Sequence, residues 1–207
     1  YELENYFMQT HRNNYNVSGL KIHVKMINDN GTAELGEDNG GILRDALSAY
    51  WEEFYITRTK GSNLKVLCLS SNVDGDRWQA ISTIMLIGYY CEGYFPIKLS
   101  PAFLEYALTG FQPPKELLIP EFLQYLPSHD RDIVEKAMKR FNSVDFEEIL
   151  EFCSDQGVTR NPTEGNFLSI VSDMALLHII QKPSYVAEAW RHKMEILKPY
   201  LKAPIGK

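Results

Sequence analysis

Between Arg77 and Cys91 the residues Trp78, Ile81, Ile84, Met85, Leu86 and Ile87 make a helix apolar nearly all round. Such a helix must be enclosed on most sides, so the pattern predicts a central buried helix with the rest of the chain built around it. It is not a membrane span. The longest apolar run, Ile81 to Phe95, is interrupted by Ser82, Thr83, Gly88, Glu92 and Gly93 and is too short and too polar to cross a bilayer. Enclosing a helix takes bulk, and 207 residues at 44% hydrophobic content supply it. A body of this size buries roughly 70% of its unfolded-chain surface and needs no disulfide or metal staple.

The candidate surroundings follow from periodicity and punctuation. Residues 1–19 are polar and asparagine-rich and read as an irregular or weakly helical lead-in to a domain spanning 20–207. Leu20, Ile22, Val24 and Met26 alternate with Lys21, His23 and Lys25, the signature of a half-buried strand, and Asn28-Asp29-Asn30-Gly31 is a turn. After Gly41 a helix places Leu43, Leu47, Trp51 and Phe54 on one stripe. Leu64 to Leu69 is a short extended piece, and Asn72-Val73-Asp74-Gly75-Asp76 a turn. Ser100-Pro101 reads as an N-cap with proline at the first helical position, opening a helix over Ala102 to Leu108 that Gly110 ends. Pro113-Pro114 is a stiff connector, either a domain boundary or a bend. Beyond it helices are expected over about 116–126, 129–140, 144–153, 164–181 and 184–198, with Ser128, Ser143 and Thr163 as N-caps, Gly157 closing one helix and Pro183 separating the last two. The expected class is α+β, mainly α, with a small N-terminal β element.

Charge and reactive residues narrow the chemistry. A net charge of -6 with scattered lysines and arginines argues against a nucleic-acid platform. Cys68, Cys91 and Cys153 are odd in number and far apart, which suits buried thiols in a reducing intracellular compartment, cytoplasm or nucleus. Cys91, beside Tyr89, Tyr90 and Glu92, reads as a buried structural thiol; a hydrolase built on it would need His129, His178 or His192 brought alongside by the fold. No metal-ligand spacing appears among the histidines, and His178, inside an apolar helical run, reads as a hydrogen-bonded core residue. A calcium loop at Asn72 fails because its sixth and twelfth positions are Arg77 and Thr83. Neither Gly36 nor Gly40-Gly41 fits a phosphate-loop or dinucleotide spacing, and the pairs Glu52/Glu53 and Glu147/Glu148 read as solvated helix faces. No cofactor is expected.

One junction carries more. Glu37-Asp38-Asn39-Gly40-Gly41-Ile42-Leu43-Arg44-Asp45 joins the alternating segment to the striped helix, with two glycines behind an Asx pair. It resembles the Asp-x-Gly-Gly-x-x-Arg signature near the start of HECT-type ubiquitin ligase domains. The buried helix followed by Tyr94-Phe95-Pro96-Ile97-Lys98-Leu99-Ser100-Pro101 is similar to the N-lobe of that family, as is Val158-Thr159-Arg160-Asn161 leading into a long helix. The resemblance implies a HECT N-lobe-like helical body in which Asp38, Gly40, Gly41 and Arg44 are structural, with an E2 ubiquitin-conjugating enzyme and a C-terminal HECT lobe as partners. The family's catalytic cysteine lies in that C-lobe within a Thr-Cys-Phe-like motif, which is absent here, so this chain alone is expected to be inactive. Only about Lys139 to Gly157 fills the interval of the family's E2-binding subdomain, which makes a degenerate, non-catalytic interaction module the alternative. The chain begins at Tyr1 rather than Met and reads as a piece of a longer protein.

Overall fold

A computed structural model describes residues 2–11, 30–31, 41–69 and 73–195. They are mainly helical, with one two-stranded antiparallel ladder. The chain forms two compact units that are each discontinuous in sequence: Tyr1–Thr57, Ser70–Ile97 and Ala189–Lys207 make the first, Arg58–Leu69 and Lys98–Glu188 the second. Pro113 and Pro114 both fall inside the second unit, as a bend. The strand expected from Leu20 to Ile27 lies outside the described residues, and of the turn before residue 32 only Asn30 and Gly31 are described.

The first unit contains α1 (Glu2–His11), α2 (Gly41–Thr57), α3 (Gly75–Glu92) and the last part of α9 (Ser184–Met194). The lead-in is therefore helical, and it packs on α3. What anchors it is a buried acid as well as Phe7: Glu4, 3% exposed, accepts from the Tyr50 hydroxyl at 3.0 Å and lies 3.7 Å from Arg77 Nε. The α2 stripe of Leu43, Leu47, Trp51 and Phe54 is buried as its spacing predicts. Asp74, expected in a turn, caps α3 instead by accepting from the Arg77 amide at 2.9 Å. At the other end Gly93 takes a left-handed φ of 60°, and the Gly93 and Tyr94 amides return to the Tyr89 and Gly88 carbonyls. Between these caps Trp78, Ile81, Ile84, Met85, Leu86 and Ile87 are essentially inaccessible.

Aromatic rings dominate this core. Trp51 and Phe54 meet edge-on at 4.8 Å, Phe54 and Trp78 at 6.5 Å, and Trp78 and Trp190 lie 6.4 Å apart. The indole nitrogens of Trp51 and Trp78 are buried without an acceptor among the described residues. That costs roughly 1–3 kcal/mol each. Burying a ring of about 200 Å² contributes about 5 kcal/mol, so packing prevails.

The second unit starts with the hairpin β1 (Thr59–Lys60) and β2 (Val66–Leu67), paired Thr59 to Leu67 and Lys60 to Val66. A parallel bridge between Lys65 and Leu99 joins it to α4 (Pro101–Thr109). Then come a 3-10 turn Lys115–Leu118, α5 (Ile119–Tyr125), α6 (Ser128–Lys139), a 3-10 turn Phe141–Ser143, α7 (Phe146–Asp155), α8 (Phe167–Leu176) and the first part of α9. Ser100 caps α4 as expected, its hydroxyl accepting from the Phe103 amide at 3.0 Å. Glu121 of α5 adds a carboxylate at the same helix start, accepting from Ser100 and from the Ala102 amide at 3.1 Å.

Three expected caps are corrected. Ser128 is already the first helical residue, without a capping bond. Ser143 donates to the Arg140 carbonyl, and the cap of α7 is Asp145, which accepts from the Glu147 amide at 2.9 Å. Thr163 caps nothing with its side chain; its amide donates to Asn166 Oδ1 and α8 starts only at Phe167. In each case the helix begins at a different residue from the one the hydroxyl would have capped.

Candidate functional site

Of the residues singled out by sequence, Asp38 and Gly40 lie outside the described residues. Gly41 opens α2 and Arg44, one turn in, is exposed. The three thiols divide. Cys153 is buried on α7, Cys68 is half-buried just past β2, and Cys91 is exposed rather than the buried thiol expected. Cys91 sits on the last turn of α3, where the helix emerges from the core beside Tyr89, 38% exposed. Partial burial and the Glu92 carboxylate push its thiol pKa up, the opposite of what a nucleophile needs.

The second unit holds a constellation that no single motif announced. The loop between β1 and β2 folds over the end of α5: the Ser62 amide donates to the Tyr125 carbonyl at 2.8 Å, and the Asn63 and Leu64 amides to the Gln124 carbonyl at 3.1 Å. Gly61 permits this closeness. Its φ is 113°, and a Cβ there would lie 2.2 Å from the Leu64 carbonyl oxygen and 2.7 Å from the Tyr125 ring. The hairpin thus carries Lys60 and Cys68 to the side of Tyr125.

From the other side α8 widens into a π-helical turn, Leu177–Gln181, which presents His178. Wide turns of this kind recur at functional sites. The His178 ring packs 5.7 Å from Phe122 and 5.4 Å from Tyr125, with Nδ1 3.3 Å from the Tyr125 hydroxyl. Lys182 Nζ is 3.3 Å from Nε2 and 3.5 Å from Nδ1, so the ammonium lies over the ring face rather than in its plane. Lys60, Cys68, Tyr125, His178 and Lys182, with Asp155 and the apolar Val66, Leu67 and Leu69, line a cavity of about 460 Å³.

The cavity's electrostatics are set by burial and by two lysines. Burial first, then Lys182 and Lys60, hold His178 down to about 4, so the imidazole is neutral near pH 7. Burial raises Cys68, against the opposing pull of Lys60 and Lys182. Tyr125 is likewise pushed up by burial, and Lys182 is lowered by burial and by Lys60. The thiol and phenol are therefore protonated near neutrality. Among the described residues neither lysine is ion-paired, nor is Asp155. No group of three or more His, Cys, Asp or Glu able to hold a metal occurs there, and no described helix is long and apolar enough to cross a membrane.

Sequence reading found His178 as a core residue and Cys68 as a strand thiol but did not join them. One signal was present: Lys182 follows His178 by four residues, one turn along a helix. Lys60 and Tyr125 reach the same place only through the hairpin's docking, which no local spacing records. No family model, curated protein or solved structure matches the chain.

Proposed function

We propose that this chain is the scaffolding, E2-recruiting N-lobe portion of a HECT-like E3 ubiquitin ligase, acting inside the cell with a C-terminal lobe that carries the catalytic cysteine. The reading rests on the run Asp38-Asn39-Gly40-Gly41-Ile42-Leu43-Arg44, whose Gly41 opens α2 and whose Leu43 begins that helix's buried stripe. The enclosed α3 and the Ser100-Pro101 start of α4 are consistent with it. So is the state of the thiols, since burial raises the pKa of Cys68, Cys91 and Cys153 alike and favours chemistry located elsewhere. On this reading ubiquitin passes between an E2 and the C-lobe while the N-lobe holds the donor in place. Direct binding of the chain to a panel of E2 enzymes tests it. Saturable binding to at least one is expected, and failure across the panel removes the recruiting role.

One observation favours a second reading, a degenerate HECT-like module retained for protein–protein interaction without ligase activity. The interval 140–157 contains only the 3-10 turn and α7, and α7 packs back on α6 rather than forming a subdomain of its own. A chain that binds no E2 but retains a protein partner through its helical surface would fit this second reading.

A further inference from the structure

We infer that the cavity between the β1–β2 hairpin and the π-helical turn is a binding site for a small aliphatic monocarboxylate, its carboxylate held by Lys60 and Lys182 and its tail on the apolar wall. The inference is independent of the ubiquitin-ligase reading.

Charge selects the head group. Lys60 and Lys182 bring two positive charges to the cavity and Asp155 one negative, while His178, Cys68 and Tyr125 are uncharged near neutral pH. The balance is one net positive charge. A monoanion neutralises it; a phosphate dianion leaves a negative charge beside Asp155. The two ammonium groups lie close enough for Lys60 to depress Lys182, and no ion pair relieves either one among the described residues. An oxyanion between them removes that repulsion and gains charge-assisted hydrogen bonds. The Tyr125 hydroxyl, 3.3 Å from His178 Nδ1, can donate to the neutral imidazole, which fixes that ring as part of the wall.

Shape and lining select the tail. A cavity of about 460 Å³ is within the ordinary range for small-molecule sites. Val66 and Leu67 are 3% and 4% exposed, and Leu69 continues the apolar strip outward at 56%. A chain of a few methylenes can lie along that strip with its carboxylate at the lysines.

The test is a nuclear magnetic resonance titration of the full chain with acetate, butyrate and inorganic phosphate at constant ionic strength and neutral pH. Saturable shifts of the Cys68 and His178 amides are expected with butyrate. Acetate, two methylenes shorter, should bind more weakly by roughly fifteenfold, since each buried methylene is worth about fourfold. Phosphate should bind more weakly than butyrate. Lys60→Gln and Lys182→Gln should each weaken butyrate roughly tenfold. Both side chains are exposed, so unchanged amide spectra in the absence of ligand verify folding. Lys139→Gln, exposed at the end of α6, should leave binding unchanged. Non-saturable shifts, phosphate binding more tightly than butyrate, or equal losses in all three variants would each overturn the assignment.

Discussion

Both units have apolar interiors, but each adds something different to that packing. In the first, Trp51, Phe54, Trp78 and Trp190 close a core of large rings, with indole nitrogens of Trp51 and Trp78 left without acceptors among the described residues. In the second, a titratable cluster of His178, Tyr125, Cys68 and two lysines forms the wall of a cavity. A core of rings depends on volume and is indifferent to mild changes of pH. A wall of neutral and cationic groups depends on protonation and on salt. The chain offers a separate probe for each. All three tryptophans belong to the first unit, so their emission reports on it, while labelling of the buried Cys153 followed by mass spectrometry reports on the second.

The largest effect should come from breaking the ring core. Trp78→Ala removes a side chain with no exposed surface and should destabilise the first unit by about 3–5 kcal/mol, read as a lower denaturant midpoint of tryptophan emission. Trp78→Phe, which keeps a ring against Phe54, should cost markedly less. Equal losses from the two variants would mean that the indole's size is not what holds the core.

Next in size is the pH response of the second unit. His178 has a folded pKa of about 4 against 6.5 for a free imidazole. Between those values the unfolded chain binds a proton that the folded chain refuses, so stability falls as pH falls through this window and is fully present above it. The loss is roughly 2–3 kcal/mol. His178→Leu removes the titration. The protection of Cys153, taken as its labelling rate relative to that of the denatured chain at the same pH so that thiolate supply cancels, should then lose its dependence on pH across that window. The first unit's emission midpoint should be unaffected by the substitution. A wild-type protection already flat between pH 6.5 and 4 would show that His178 is not excluded from protonation.

Gly61→Ala attacks the hairpin's docking itself. It sets an L side chain at φ 113°, against the Leu64 carbonyl and the Tyr125 ring, and should cost roughly 1–3 kcal/mol. The Cys68 amide resonance, adjacent to the displaced ring, should shift. A silent substitution here would mean that the loop reseats without strain.

These positions differ in how legible they were in the sequence. Trp78 and the α2 stripe were readable because helical spacing alone puts them on buried faces. Ser100 was readable because capping is a three-residue affair, but Glu121, twenty-one residues on, completes the same cap through the fold. Ser143 and Thr163 misled because their helices start later, at Phe146 and Phe167: Asp145 caps the first, and the Thr163 carbonyl, not its hydroxyl, accepts from the Asn166 and Phe167 amides before the second. The cavity is least legible. Lys60, Tyr125 and His178 come from a hairpin, a helix end and a π-helical turn, and their meeting depends on a glycine whose importance lies in its φ.

The smallest effect separates two kinds of acid sensitivity inside the second unit. Asp173 on α8 bonds to Lys115 at 2.6 Å and to Arg160, and the Lys115 bond foremost, with the Arg160 bond, holds its carboxyl below the usual aspartate value. A depressed carboxyl contributes stability above its unfolded pKa of 3.8 and loses it as pH falls through the folded value. This window lies below that of His178, so the two titrations are separable. All three partners are 37–49% exposed, so solvent screens them and Asp173→Asn should cost only a few tenths of a kcal/mol. High salt should erase that cost in the Cys153 labelling rate while leaving the Trp78→Ala loss intact, because screening weakens surface charge pairs and does nothing to a missing ring. A salt-independent effect of Asp173→Asn would place it with the packed interior instead, and the contrast between the two units would have to be redrawn inside α8.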